Sequence, residues 1–132
     1  MEISEQECAM ANWFELMARV YPYIEEIRAK DASVHAEKGE LLLIDVREPH
    51  EVARSGKAKG AIHIPLMMIR HKANRQGPNF DPTLDPAKSF ALYCENGSKA
   101  IQAARMMKKM GYEDVYNMGA FREWLNAKLP VE

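Results

Sequence analysis

The sequence predicts an α/β fold with a largely parallel sheet covered by helices. Short apolar runs alternate along the chain with segments of helical period, and such alternation is typical of this class. The run at 41–46 is apolar at every position but Asp45, as expected of a strand buried on both faces of a parallel sheet. The length of 132 residues suits a single domain, since typical domains have about 100–200 residues.

Composition and charge exclude several classes of protein. The formal net charge of −1 lacks the basic excess expected of a nucleic-acid binder. The longest apolar run, Leu41–Ile44, is far shorter than the roughly 18 residues of a membrane span, and the acidic start at Met1 does not resemble a signal peptide. Cys8 and Cys94 lie too far apart for a disulfide scaffold or a zinc ribbon. We therefore expect a cytoplasmic protein in a reducing compartment, bound to neither nucleic acid nor membrane.

The first segment predicts an amphipathic helix. Ser4 and Glu7 fit a capping box, and Pro22 should end the helix at Tyr21. Apolar residues recur on one helical face, at Met10, Trp13, Phe14, Met17, Val20 and Tyr21. Cys8 lies off this stripe. The helix either packs on its own domain or serves as a docking or dimer helix with an aromatic anchor. We treat 1–23 as an N-terminal extension and 24–132 as the domain.

The remaining elements follow from apolar runs and turn signals. Gly39 and Gly111 can end helices in the left-handed conformation, and Pro49 suits a first helical turn. Pro65 ends a short strand, and the three prolines of 74–87 predict an irregular loop. The predicted strands are 24–28, 41–46, 61–64, 90–93 and 114–117, and the predicted helices are 30–38, one opening at 48–51, 66–73, 97–110 and 119–128.

Cys94 is the residue that best fits a chemical role. It follows the strand 90–93 directly and precedes the helix that starts near Gly97, so it lies at the carboxyl end of a strand, where open α/β sheets bind ligands. Backbone N–H groups of such a turn and the helix dipole favour a thiolate, which is the nucleophilic form of cysteine. Lys99 can add a cation near an anionic substrate. The alternative is a small buried core residue.

Four segments resemble the rhodanese-like family of single-domain sulfurtransferases over about residues 24–130. They are Leu42–Pro49 with Glu51, Gly56–Leu66, Tyr93–Lys99, and Gly111–Phe121 with Trp124. The resemblance implies a three-layer sandwich whose five-stranded, mainly parallel sheet has helices on both faces. It implies that Cys94 takes a sulfane sulfur from thiosulfate or a persulfide and passes it to a thiol or cyanide. The active loop would bind the donor through Glu95, Asn96, Gly97, Ser98 and Lys99.

The resemblance implies no cofactor, and His35, His50, His63 and His71 show no metal-ligand spacing, so we also expect no metal site. The predicted partners are therefore a small sulfur donor and a thiol acceptor, with a protein partner or self-association through the first helix as a further option. A non-enzymatic sulfur-relay or interaction domain is the alternative function. A phosphatase or arsenate reductase is a third, although the active loop of such family members is typically longer and ends in arginine.

Two features of this chain bear on the donor. Glu95 is acidic beside the nucleophile and offsets the formal charge of Lys99. If its carboxylate points inward, it disfavours the Cys94 thiolate and repels thiosulfate, so we expect a preference for a less charged persulfide donor. Asp45 and Arg47 could line the pocket, but we favour a structural role in which Arg47 bonds a carboxylate such as that of Glu51.

Overall fold

The structure, a computed structural model, describes residues 5–132 of the chain and the side chains of residues 12–132. Its helices are α1 (Glu5–Val20), α2 (Ala29–Glu37), α3 (Pro49–Ser55), α4 (Leu66–Lys72), α5 (Ser98–Lys109) and α6 (Phe121–Asn126). Its strands are β1 (Glu25–Glu26), β2 (Leu42–Asp45), β3 (Ile62–His63), β4 (Phe90–Cys94) and β5 (Val115–Ala120). None of the helices in the described part of the chain combines the length and the apolar character that a bilayer span requires.

The strands form one sheet in the order β1-β5-β4-β2-β3, and every neighbouring pair is parallel. Consecutive side chains of a strand point to opposite faces, so each strand contributes to two apolar layers. Ile44, Leu92 and Cys94 pack with α4 and α5 on one face. Leu43 and Tyr93 pack with α2 and α6 on the other. The predicted fold class is thus confirmed, with helices on both faces of a five-stranded sheet.

The end of β5 differs from the prediction. The sequence suggested a strand that stops at Asn117 and a helix from Gly119, whereas β5 continues to Ala120 and α6 begins at Phe121. The cause is a bulge: Leu92 pairs with Asn117 but Tyr93 pairs with Gly119, which leaves one extra residue in β5. Gly119 supplies the positive φ of 87° that this geometry needs. The extended strand then pairs Ala120 with Cys94 and holds the end of β4.

Helix α1 ends before Pro22 as predicted, but its aromatic residues do not pack on the domain. Trp13 and Phe14 are 55% and 59% exposed and contact each other edge to face. Met17 and Val20, further along the same face, are only partly buried. Tyr21 follows the helix directly, and the guanidinium of Arg105 in α5 lies 5.7 Å from its ring centre. Ser4 and the side chains of Glu7, Cys8 and Met10 lie outside the described residues, and the division at residue 23 stays a prediction.

The segment 74–87 forms no helix or strand, as predicted, and is held by one buried hydroxyl. The Tyr112 hydroxyl oxygen lies 2.9 Å from the carbonyl oxygen of Ala73 and 2.8 Å from that of Leu84. Ala73 directly precedes the loop and Leu84 lies within it, so Tyr112 ties the loop to the body of the domain. Burial, the largest influence, raises the pKa of this phenol above its ordinary value.

Replacing Tyr112 by phenylalanine is expected to lower the free energy of unfolding by about 1–2 kcal/mol, because two buried carbonyls lose their shared donor. Urea unfolding followed by circular dichroism measures the difference. Tyr23→Phe is the matched control, since Tyr23 is 79% exposed and should tolerate the same change. Equal stability of the two variants would show that the loop does not depend on this hydroxyl.

Candidate active site

Cys94 is the last residue of β4, and its side chain is buried at the carboxyl edge of the sheet. The chain then turns through Glu95, Asn96 and Gly97 before α5 begins at Ser98. The turn depends on Gly97, whose φ of 93° is in the left-handed region that side chains disfavour. The loop therefore runs directly from a buried strand end to a helix N-terminus, as the sequence predicted.

The loop aims backbone donors at the sulfur of Cys94. The N–H of Gly97 lies 2.9 Å from Sγ and that of Ala100 lies 3.4 Å from it. Asn96 keeps the loop in shape, because its Oδ1 accepts hydrogen bonds from the N–H and the hydroxyl of Ser98. Two converging N–H groups at the start of a twelve-residue helix create a site that favours an anion on this sulfur.

The two charged residues of the loop do not face each other. Glu95 Oε2 accepts a hydrogen bond from Arg47 Nη1 at 3.2 Å, and the Glu95 side chain is 62% exposed. Lys99 Nζ lies 3.6 Å from Glu48 Oε1. Each loop charge is therefore paired with a residue from the turn that follows β2, and Glu95 and Lys99 offset each other in formal charge without forming an ion pair.

The Arg47 guanidinium is buried, and each of its five N–H bonds has an acceptor. Asp45 accepts from Nε at 3.1 Å and from Nη2 at 2.8 Å. Ser55 Oγ accepts from Nη1 at 2.8 Å, and the Gly56 carbonyl accepts from Nη2 at 2.6 Å. The remaining Nη1 donor goes to Glu95. Burial alone would lower the pKa of Arg47, but the hydrogen bonds and charge of Asp45, helped by Glu95, raise it above its usual value.

The predicted structural role of Asp45 and Arg47 is confirmed, but Glu51 is not the carboxylate involved. Glu51 instead closes a capping box at the start of α3, where its Oε1 accepts the Glu48 N–H at 3.0 Å. The Arg47 side chain turns the other way, towards the sheet, where its guanidinium carbon lies 4.1 Å from the centre of the Phe121 ring.

Sequence reasoning missed two supports of this site. The His63 ring donates from Nε2 to the carbonyl of Arg47 at 2.7 Å, and the Tyr93 hydroxyl accepts the N–H of Ala58 at 2.9 Å. His63 and Tyr93 lie at the carboxyl ends of strands, beside Arg47 or Cys94. That position is the sequence feature from which a contribution to the site could have been predicted. Burial is the main reason that the pKa of Tyr93 is raised, so this phenol stays neutral.

A separate cavity of about 680 Å³ lies at the opposite edge of the sheet. Its lining includes Leu42 and Ser89 at the amino ends of β2 and β4, together with Trp124, and no residue of the loop 94–99. In the described part of the chain, no three His, Cys, Asp or Glu side chains cluster closely enough to hold a metal ion. The Cys94 loop is therefore the candidate site, built from backbone donors and ion pairs.

Comparison with known proteins assigns the family. The rhodanese-like domain model matches residues 28–127, which include the loop and the whole sheet except β1. The chain belongs to the rhodanese-like domain family. A sulfurtransferase from Allochromatium vinosum is 26% identical over 110 residues, which cover 82% of this chain and 94% of the relative.

Other relatives of this rhodanese-like chain carry less specific names. The uncharacterized protein YqhL of Bacillus subtilis is 35% identical over 83 residues, and the match spans 62% of this chain but only 59% of that protein. A solved structure from Rhodopseudomonas palustris, described as a possible tyrosine phosphatase of unknown function, has a TM-score of 0.76 at 29% identity and covers 83% of this chain and 85% of its own.

The ion pair under the loop predicts unequal effects of two isosteric substitutions. Asp45→Asn leaves the buried Arg47 charge without its main partner and should lower the free energy of unfolding by about 3 kcal/mol. Glu95→Gln removes a charge from the exposed side of the same guanidinium and should cost less than about 1 kcal/mol. Guanidinium chloride unfolding of both variants tests this order, and equal losses would contradict the structural role given to Asp45.

Proposed function

We propose that this chain is a sulfurtransferase that carries a sulfane sulfur as a persulfide on Cys94. The observation that supports it best is the convergence of the Gly97 and Ala100 N–H groups on Sγ, in a chain of the rhodanese-like family. Donors at this position stabilise a thiolate before transfer and a negative persulfide after it. The name of the Allochromatium vinosum sulfurtransferase, one of its relatives, agrees with sulfur transfer.

In the proposed reaction, the Cys94 thiolate attacks the outer sulfur of the donor. The S–S bond of the donor breaks, and the leaving group departs with the bonding electron pair, as sulfite in the case of thiosulfate. The negative charge moves one atom outward, to the terminal sulfur of the new persulfide. A thiol or cyanide then takes this sulfur and restores the thiolate.

Four residues of the loop support the proposed reaction. Asn96 and Ser98 hold the turn in shape, and Gly97 allows the backbone to direct its N–H inward. Lys99 adds positive charge at the mouth of the loop, although Glu48 shares it. The proposed location is the cytoplasm, where a reducing environment keeps Cys94 free for reaction.

Mass spectrometry of the intact protein tests the persulfide directly. After incubation with thiosulfate or a low-molecular-weight persulfide, we expect an adduct of one sulfur atom that cyanide removes. Cys94→Ser should abolish the adduct, whereas Cys8→Ser should retain it and controls for the second cysteine of the chain. Absence of the adduct with every donor, or phosphatase activity that depends on Cys94, would overturn the proposal.

A further inference from the structure

The last donor of Arg47 is covered by the residue that follows the nucleophile. Three of the five N–H bonds of this buried guanidinium go to Asp45 and to the Gly56 carbonyl. The two on Nη1 go to exposed side chains, Ser55 Oγ at 2.8 Å and the Glu95 carboxylate at 3.2 Å. The Glu95 side chain is 62% exposed while that of Arg47 is 1% exposed, so Glu95 is the carboxylate on the solvent side of this cation.

The charges around the loop do not cancel. Asp45 pairs with Arg47, and Glu48 pairs with Lys99, so these four residues are neutral together. Glu95 shares the guanidinium that Asp45 already neutralises, and it adds one formal negative charge at the residue next to Cys94. An incoming anion therefore meets an exposed carboxylate at the residue next to Cys94, and like charges repel.

We infer that Glu95 is a specificity-determining residue that selects against dianionic sulfur donors and favours donors of lower charge. The inference rests on the proposed sulfur transfer at Cys94. Glu95 acts in two ways, since its charge repels the donor and its carboxylate occupies the Nη1 donor of Arg47. Both effects grow with the charge of the donor, because electrostatic repulsion is proportional to that charge.

Two donors of similar shape isolate the effect of charge. Thiosulfate is a dianion, and methanethiosulfonate is a monoanion in which a methyl group replaces one oxygen. With either donor, the Cys94 thiolate bonds to the terminal sulfur and the old bond to that sulfur breaks. Sulfite leaves from thiosulfate and methanesulfinate leaves from methanethiosulfonate, each with the bonding pair, so the persulfide that remains is the same.

The experiment compares kcat/KM for the two donors in wild type and in variants of Glu95. Glu95→Gln keeps an acceptor for Arg47 but removes the charge, and should raise the ratio of thiosulfate to methanethiosulfonate by about tenfold at low salt. Glu95→Ala also uncovers the Nη1 donor and should raise the ratio further. Both gains should shrink as ionic strength rises, since salt screens an exposed charge.

Glu113→Gln is the matched control. Glu113 is an exposed carboxylate just before β5, at the end of the sheet remote from Cys94, so it changes the net charge equally without touching the loop. Its donor ratio should equal that of wild type. The inference is overturned if the Glu95 variants keep the wild-type ratio, or if Glu113→Gln shifts it as much.

The outcome separates this inference from the proposed function. Persulfide on Cys94 in wild type with methanethiosulfonate supports sulfur transfer whatever the donor ratio does. If no sulfur adduct forms on Cys94 with either donor, in wild type or in any variant, the proposed function itself is wrong.

Discussion

The buried guanidinium of Arg47 is the interaction on which the candidate site depends. A desolvated cation is costly unless every donor has an acceptor and an opposite charge lies in contact. Asp45 supplies that charge from the end of β2, and Ser55 and Gly56 supply acceptors from the end of α3. All donors of Arg47 find acceptors only when β2, α3 and the loop after β4 lie in one relative arrangement. The loop takes part in this arrangement through the hydrogen bond of Glu95 to Arg47.

The parallel sheet explains why the sulfur of Cys94 lies where it does. In a parallel sheet all carboxyl ends meet at one edge, so the residues after β2, β3 and β4 become neighbours. The bulge in β5 extends its pairing to Cys94, which fixes the strand end from which the loop departs. The loop then needs only a left-handed glycine and a helix N-terminus to turn backbone donors towards Sγ.

Most of the fold could be predicted from local patterns in the sequence. The apolar run that became β2, the helix that ends at Lys109 shortly before Gly111 and the cysteine between a strand and a helix are set by residues close together in the chain. The partners of Arg47, Glu95 and Lys99 could not be predicted in this way. These partners belong to segments that are distant in the chain and meet only in the folded sheet. From the sequence alone, several nearby carboxylates would serve equally well as partners. The bulge in β5 could not be predicted because a single extra residue produces no periodic pattern in the sequence. The apolar stripe of α1 shows that one face of the helix can be buried. It does not show whether the domain offers a surface against which that face can pack.

The central claim is that the backbone donors of the loop hold the transferred sulfur on Cys94. NMR spectra of ¹⁵N-labelled protein test it most directly, before and after loading with a sulfane sulfur donor. We expect that the amide resonances of Gly97 and Ala100 shift most on loading, that cyanide reverses the shift, and that Cys94→Ser shows none of it. A sulfur adduct that leaves these two amides unchanged, or shifts centred on another part of the fold, would contradict it.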